Sequence, residues 1–166
     1  MKYLIFLFAL LISSAQLTAQ EKAPASPPAK ATATVGKTTV TINYSAPSVK
    51  GRKIWGGLVP YGEVWRAGAN ETTSFEVSSD VTINGKVLPK GKYAFFVTPN
   101  EKEWTIILNK TIAWGAYSYK KADDVMSFSV PVKKAKVLTE KLTYEVSDKG
   151  EVCLSWANEM ICFNVK

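Results

Sequence analysis

The chain predicts an all-β fold, an antiparallel β-sandwich or jelly-roll-like barrel of about nine or ten short strands with one long Gly/Trp/Arg-rich connection. Two observations carry this expectation. Period-two alternation of apolar and polar residues recurs along the chain, while no window sustains apolar spacing at three and four residues. Short polar turns such as Ser147-Asp148-Lys149-Gly150 separate the alternating stretches.

The first alternating stretch sets Val40, Ile42 and Tyr44 against Thr39, Thr41 and Asn43. Thr73, Phe75 and Val77 do the same against Ser74 and Glu76. Val81-Thr82-Ile83 meets Lys86-Val87-Leu88 through Asn84-Gly85, a pair suited to a tight hairpin because both residues tolerate positive φ. Residues 93–97 are apolar on both faces, which predicts a central strand covered on each side, with 104–108 returning beside it. Further strands are expected at 125–132, 142–146, 152–156 and 160–165.

Residues 1–19 stand outside the fold. Lys2, the apolar run 3–12 and the small-residue end Leu17-Thr18-Ala19 read as a secretory signal peptide, with cleavage near Ala19. No cysteine follows that run to accept a lipid, and no later stretch approaches the roughly 20 apolar residues of a spanning helix. The expected location is periplasmic or extracellular. Residues 20–30, rich in Pro and Ala without periodic apolar positions, read as a flexible leader, and 31–166 as a single β domain.

The formal charge of +7 falls to +6 without Lys2. The lysines are scattered apart from Lys120-Lys121 and Lys133-Lys134-Ala135-Lys136, which favours a solvated surface over a nucleic-acid footprint. With no histidine in the chain, Ser-His-Asp and Cys-His nucleophiles, histidine-ligated metals and the usual neutral-pH proton shuttle are excluded. No phosphate loop, dinucleotide fingerprint or calcium loop is present, so no cofactor or metal is expected.

Cys153 and Cys162 share the outward face of a hairpin whose inward rows are Val152, Leu154, Trp156 and Ile161, Phe163, Val165. Pairing Val152 with Phe163 sets the cysteines directly opposite each other, whereas a two-residue slip separates them. The pattern permits a disulfide without requiring it, and an oxidising compartment favours it. Closing so short a loop contributes about 2 to 3 kcal/mol.

Chemistry-bearing residues concentrate in residues 44–71, which hold both arginines of the protein, Arg52 and Arg66, while the other nineteen basic residues of the chain are lysines. Arginine offers a planar fork of donors that lysine lacks, so its confinement there points to specific hydrogen-bonded geometry. The same segment carries Trp55, Tyr61, Trp65, Asn70, Glu63 and Glu71. The two glutamates are weak catalytic candidates for carboxylate-dependent glycoside hydrolysis, which needs an acid and a second carboxylate across one bond. Their other role is structural neutralisation of Arg52 and Arg66.

The run YSAPSVKGRKIWGGLVPYGEVWRAGANE, followed by INGKVLPKGKYAFFVTP, WTIILN and WGAYSY, resembles a bacterial secreted family known as domain of unknown function 2911. The resemblance spans roughly residues 31–165. It runs through Arg52, Trp55-Gly56, Pro60-Tyr61-Gly62, Trp65-Arg66, Gly68-Ala69-Asn70-Glu71, Trp114-Gly115-Ala116-Tyr117 and Tyr119, and excludes the two cysteines. It implies the fold and the export, and supplies no activity, substrate or catalytic assignment.

Trp55, Tyr61, Trp65, Trp114, Tyr117 and Tyr119 as aromatic walls, with Arg52, Arg66, Asn70 and Glu71 as polar groups, suit a concave ligand site. Aromatic faces stack on sugar rings, and arginine forks engage carboxylate or sulfate. The partner this predicts is an anionic glycan or another cell-envelope component. Two other functions stay open: a structural or protein-interaction domain, in which the aromatics close one end of the sandwich, and the glycoside hydrolase.

Overall fold

The computed structural model describes residues 24–166, so the expected signal peptide and the first residues of the leader lie outside the described residues. Ten strands follow in order: β1 (Pro28–Val35), β2 (Thr38–Ser45), β3 (Ser74–Val77), β4 (Val81–Ile83), β5 (Lys86–Leu88), β6 (Gly91–Thr98), β7 (Glu103–Asn109), β8 (Asp124–Pro131), β9 (Lys133–Val146) and β10 (Glu151–Asn164). Six of them build one antiparallel sheet in the order β1-β2-β3-β6-β7-β8, whose two edges do not pair. Among the described residues the sheets thus remain open, which makes the fold a sandwich and not a closed barrel.

Alternation decides the inner face of this sheet. Val40 and Ile42, Phe75 and Val77, Tyr93, Phe95 and Val97, Trp104, Ile106 and Leu108, and Met126, Phe128 and Val130 are all buried. The expected doubly covered strand is β6, because Ala94 and Phe96 on its outer side are also buried, with Ile107, beneath Val64 and Tyr119. The β4–β5 hairpin turns at Asn84 and Gly85 with φ of 49° and 76°. It is tied to the end of the chain where Thr82 and Lys166 exchange backbone hydrogen bonds of 2.7 and 3.0 Å.

The second layer is β9 and β10. A straight strand would carry Cys153 and Cys162 about 30 Å apart, yet their Cα atoms lie 4.2 Å from each other and their sulfurs are bonded. Strand β10 therefore folds back on itself, at Ala157, whose φ is 54°. Strand β9 wraps outside this fold. Val146 through Thr143 pair with Val152 through Ser155 on the outgoing arm, Thr139 faces Ala157 at the turn, and Lys134 and Lys133 pair with Glu159 and Met160 on the returning arm. Val152, Leu154, Trp156, Ile161 and Phe163 all point inward, where Phe163 stacks on Phe95 at 6.2 Å and meets Phe128 edge-on at 5.5 Å. Burying each such side chain contributes about 1.5 to 3 kcal/mol.

The turn at 157–158 sets Glu159 opposite Trp156, on the inward face, and leaves it 2% exposed. Its Oε1 accepts a 2.6 Å hydrogen bond from Lys134 Nζ, while its Oε2 is buried without a partner among the described residues. This pair latches the start of β9 to the returning arm of β10. Lys134 is itself largely exposed, but removing its ammonium leaves the buried Glu159 carboxylate without its donor, so Lys134→Met is expected to lower stability by about 1 to 3 kcal/mol in urea unfolding. Adding Glu159→Gln to that variant restores part of the loss.

Candidate functional site

The connection between β2 and β3, residues 46–73, is shaped by backbone hydrogen bonds along most of its length. Its first residues align with β9, through Val49 N–H to Glu140 O at 2.8 Å and Leu142 N–H to Pro47 O at 2.9 Å. A compact turn follows, with Val59 N–H donating to Ile54 O and Gly56 N–H to Val59 O, both at 2.9 Å, and it buries Ile54, Trp55 and Val59. Because β3 is short, β6 would lack a neighbour at Val97. Trp65 supplies it, exchanging two 2.8 Å backbone bonds with Val97.

The run Trp65-Arg66-Ala67-Gly68-Ala69-Asn70 then turns tightly. Ala67 is fully buried at φ 52°, and its carbonyl accepts from Tyr144 Oη at 2.8 Å and Thr73 Oγ1 at 3.1 Å. Gly68 is required because a Cβ there would stand 2.6 Å from Thr73 Oγ1. Asn70 adopts φ 55°, a conformation asparagine tolerates, and its Nδ2 donates to Ser26 O at 3.1 Å. The residues that look functional in sequence are in good part the ones that let this loop close.

Two adjoining cavities of about 260 Å³ each open along the loop and share Leu58, Val59, Trp65 and Arg66. One also takes in Arg52, Ser26 and Trp156, the other Glu63 and Tyr117. Arg66 Nε is buried with no hydrogen-bond partner among the described residues. Arg52 differs: its Nε donates to Val49 O at 3.1 Å and its Nη2 to Ser48 O at 2.5 Å, so it braces its own loop while bordering the cavity.

The aromatic residues divide. Trp55 is in the core, 4.4 Å from Trp104, 5.7 Å from Trp65 and 5.9 Å from Trp156 between ring centroids. Trp65 stacks on Trp156 at 5.8 Å and reaches the cavities. Tyr61 packs partly buried against the core, and burial first, then the Glu159 charge, raises its pKa. Trp114 and Tyr117 project into solvent, 69% and 98% exposed. Tyr119 instead lies edge-on to Phe96 at 5.3 Å on the outer face of β6.

Glu63 and Glu71 line different cavities. Glu71 borders an open groove of about 640 Å³ along β1, β2 and β3, with Lys30, Asn43 and Lys92, and its Oε2 lies 3.4 Å from Ser45 Oγ. The groove is larger than the arginine cavities but contains neither arginine. Glu151 lies near the two cysteine sulfurs, but those are bonded to each other and do not form a thiolate pair for a metal. Trp156 and Glu159 escape sequence analysis, since Trp156 reads as one more inward core residue and nothing in a single sequence marks Glu159 as buried.

The sequence matches, over residues 26–165, the family described as Protein of unknown function (DUF2911). The chain belongs to that family. No curated protein and no solved structure matches it. The family match takes in the whole arginine-bearing connection and both exposed aromatics.

Tyr119 gives this region a measurable signature. Burial, and then the hydrogen bond it donates to Asp124 Oδ2 at 2.8 Å, push its pKa from 10.0 to about 12. The folded state holds this proton more tightly than the unfolded one, so the contribution is complete below pH 10 and is lost as pH rises toward 12. Among several tyrosines raised above 10, ultraviolet titration is expected to show a step near pH 12 that is lost in Tyr119→Phe, whose alkaline loss of stability is correspondingly smaller.

Proposed function

We propose that the protein is an exported binding module that holds an anionic group, in the first instance an acidic sugar of a cell-envelope glycan, against Arg66 beside Trp65. One observation carries this reading: the buried, unpartnered Nε of Arg66, in a residue common to two cavities. A guanidinium N–H left without an acceptor in a protein interior is costly, and a carboxylate or sulfate oxygen is its natural complement. Trp65, partly exposed and backed by the buried Trp156, offers an apolar face for a sugar ring, and the exposed Tyr117 borders the same cavity as Trp65. Cavities of this size fit a single residue of a glycan, with the remainder of the chain outside.

Export is supported by the leader-like sequence at 1–19 and by the disulfide, which persists in oxidising compartments. Among the described residues no helix is long and apolar enough to cross a membrane. Glycoside hydrolysis by Glu63 and Glu71 gains no support, since the two border separate cavities.

Glycan-array binding by the protein from Gln20 onward is the direct test, run with Arg66→Ala and Arg52→Ala. Arg66→Ala is expected to weaken binding to acidic glycans roughly 10- to 100-fold, the value of a charged hydrogen bond, with little change in Tm. Arg52→Ala is expected to lower Tm, because it removes two bonds to backbone carbonyls. If no glycan binds and Arg66→Ala melts several degrees lower, the segment is a structural clamp and the proposal is wrong.

A further inference from the structure

The wrapping strand β9 makes a surface unlike the rest of the molecule. Between Thr139, opposite Ala157, and Lys134, opposite Glu159, β9 takes five residue steps while β10 takes two. The surplus residues bulge outward, and alternation fails there: the consecutive Val137 and Leu138 are both exposed, at 79% and 58%. Lys133, Lys136 and Lys141 are exposed beside them, and none forms an ion pair among the described residues. The nearest carboxylate on the strand, the exposed Glu140, accepts a 2.9 Å bond from the backbone N–H of Lys50, which is also exposed.

We infer that this bulge docks on an anionic lipid bilayer, with Val137 and Leu138 entering the headgroup layer and Lys133, Lys136, Lys141 and Lys50 meeting the phosphates. Both halves of the feature are needed for that assignment. Lysines alone suit any soluble polyanion, and an apolar pair alone suits a protein partner. Two adjacent apolar side chains on an outward bulge, flanked by lysines that outnumber the one exposed carboxylate of that stretch, Glu140, match the chemistry of a charged interface over a hydrocarbon interior. The bulge is formed by β9 against the turn of β10, so this inference stands apart from the arginine cavities.

Co-sedimentation with vesicles tests it, using phosphatidylcholine alone and phosphatidylcholine mixed with phosphatidylglycerol. Binding is expected only with phosphatidylglycerol, weakening as salt rises and falling roughly five-fold for each of Lys133→Gln, Lys136→Gln and Lys141→Gln. Lys134 is left intact because it holds Glu159. The pair Val137→Ser and Leu138→Ser is expected to abolish sedimentation without lowering Tm, since neither side chain is buried. The inference is overturned if the protein stays in the supernatant with both vesicles, binds both equally, or binds phosphatidylglycerol vesicles just as well with the serine pair. Retention of the serine pair on dextran sulfate, together with unchanged vesicle binding, would identify a general polyanion surface instead.

Discussion

Four indoles meeting between the layers are the constraint on which the rest of the structure depends. Trp104 comes from the six-stranded sheet, Trp156 from the folded strand β10, and Trp55 and Trp65 from the connection, with neighbouring rings 4.4 to 5.9 Å apart. Their edge-on and stacked contacts each add about 0.5 to 1.5 kcal/mol beyond area burial. The arrangement has a cost, because Nε1 of Trp55, Trp104 and Trp156 is buried without a partner among the described residues. A core assembled only for stability would favour aliphatic side chains here. The indoles fix the path of a long irregular segment that has little regular secondary structure of its own.

That path explains why the arginines end where they do. Trp65 is anchored twice, by backbone bonds to Val97 and by its ring on Trp156, so Arg66 follows from a rigid point. Joining β2 to β3 requires closing the residues 46–73 first, and loop closure of that length carries an entropic cost that neighbouring hairpins such as β6–β7 avoid. The candidate site is therefore built on the least local contact of the larger sheet. Anything that binds there also holds the two layers together.

Most of the regular fold was legible in the sequence because side-chain alternation reports directly on which face is buried. It located β2 to β8, the turn at Asn84-Gly85 and the doubly covered β6, while two registers of the cysteine hairpin shared one apolar face and the structure adopts the one that sets Cys153 across from Cys162. It left β1 unassigned, since Ala and Thr alternate there with little apolar contrast, and it began β9 nine residues late. Residues 133–141 follow the outside of a turn and need no inward row, so the signal is absent for a physical reason. The candidate site was legible only as a list of residue types. Whether a tryptophan is core, like Trp55, or exposed, like Trp114, depends on contacts distant in sequence, and the burial of Glu159 follows from the position of one turn.

The edge position of β1 has a mechanical meaning. Its pairing with β2 starts at Pro28 opposite Ser45 and runs to Val35 opposite Thr38, so tension applied on the N-terminal side loads the hydrogen bonds one at a time, as in a zipper. The first bonds under that load are Ala46 N–H to Pro27 O and Asn70 Nδ2 to Ser26 O, at the rim of the arginine cavity. A pull on the N-terminal side of β1 would thus unfasten this rim while the disulfide and the indole cluster were still unstrained.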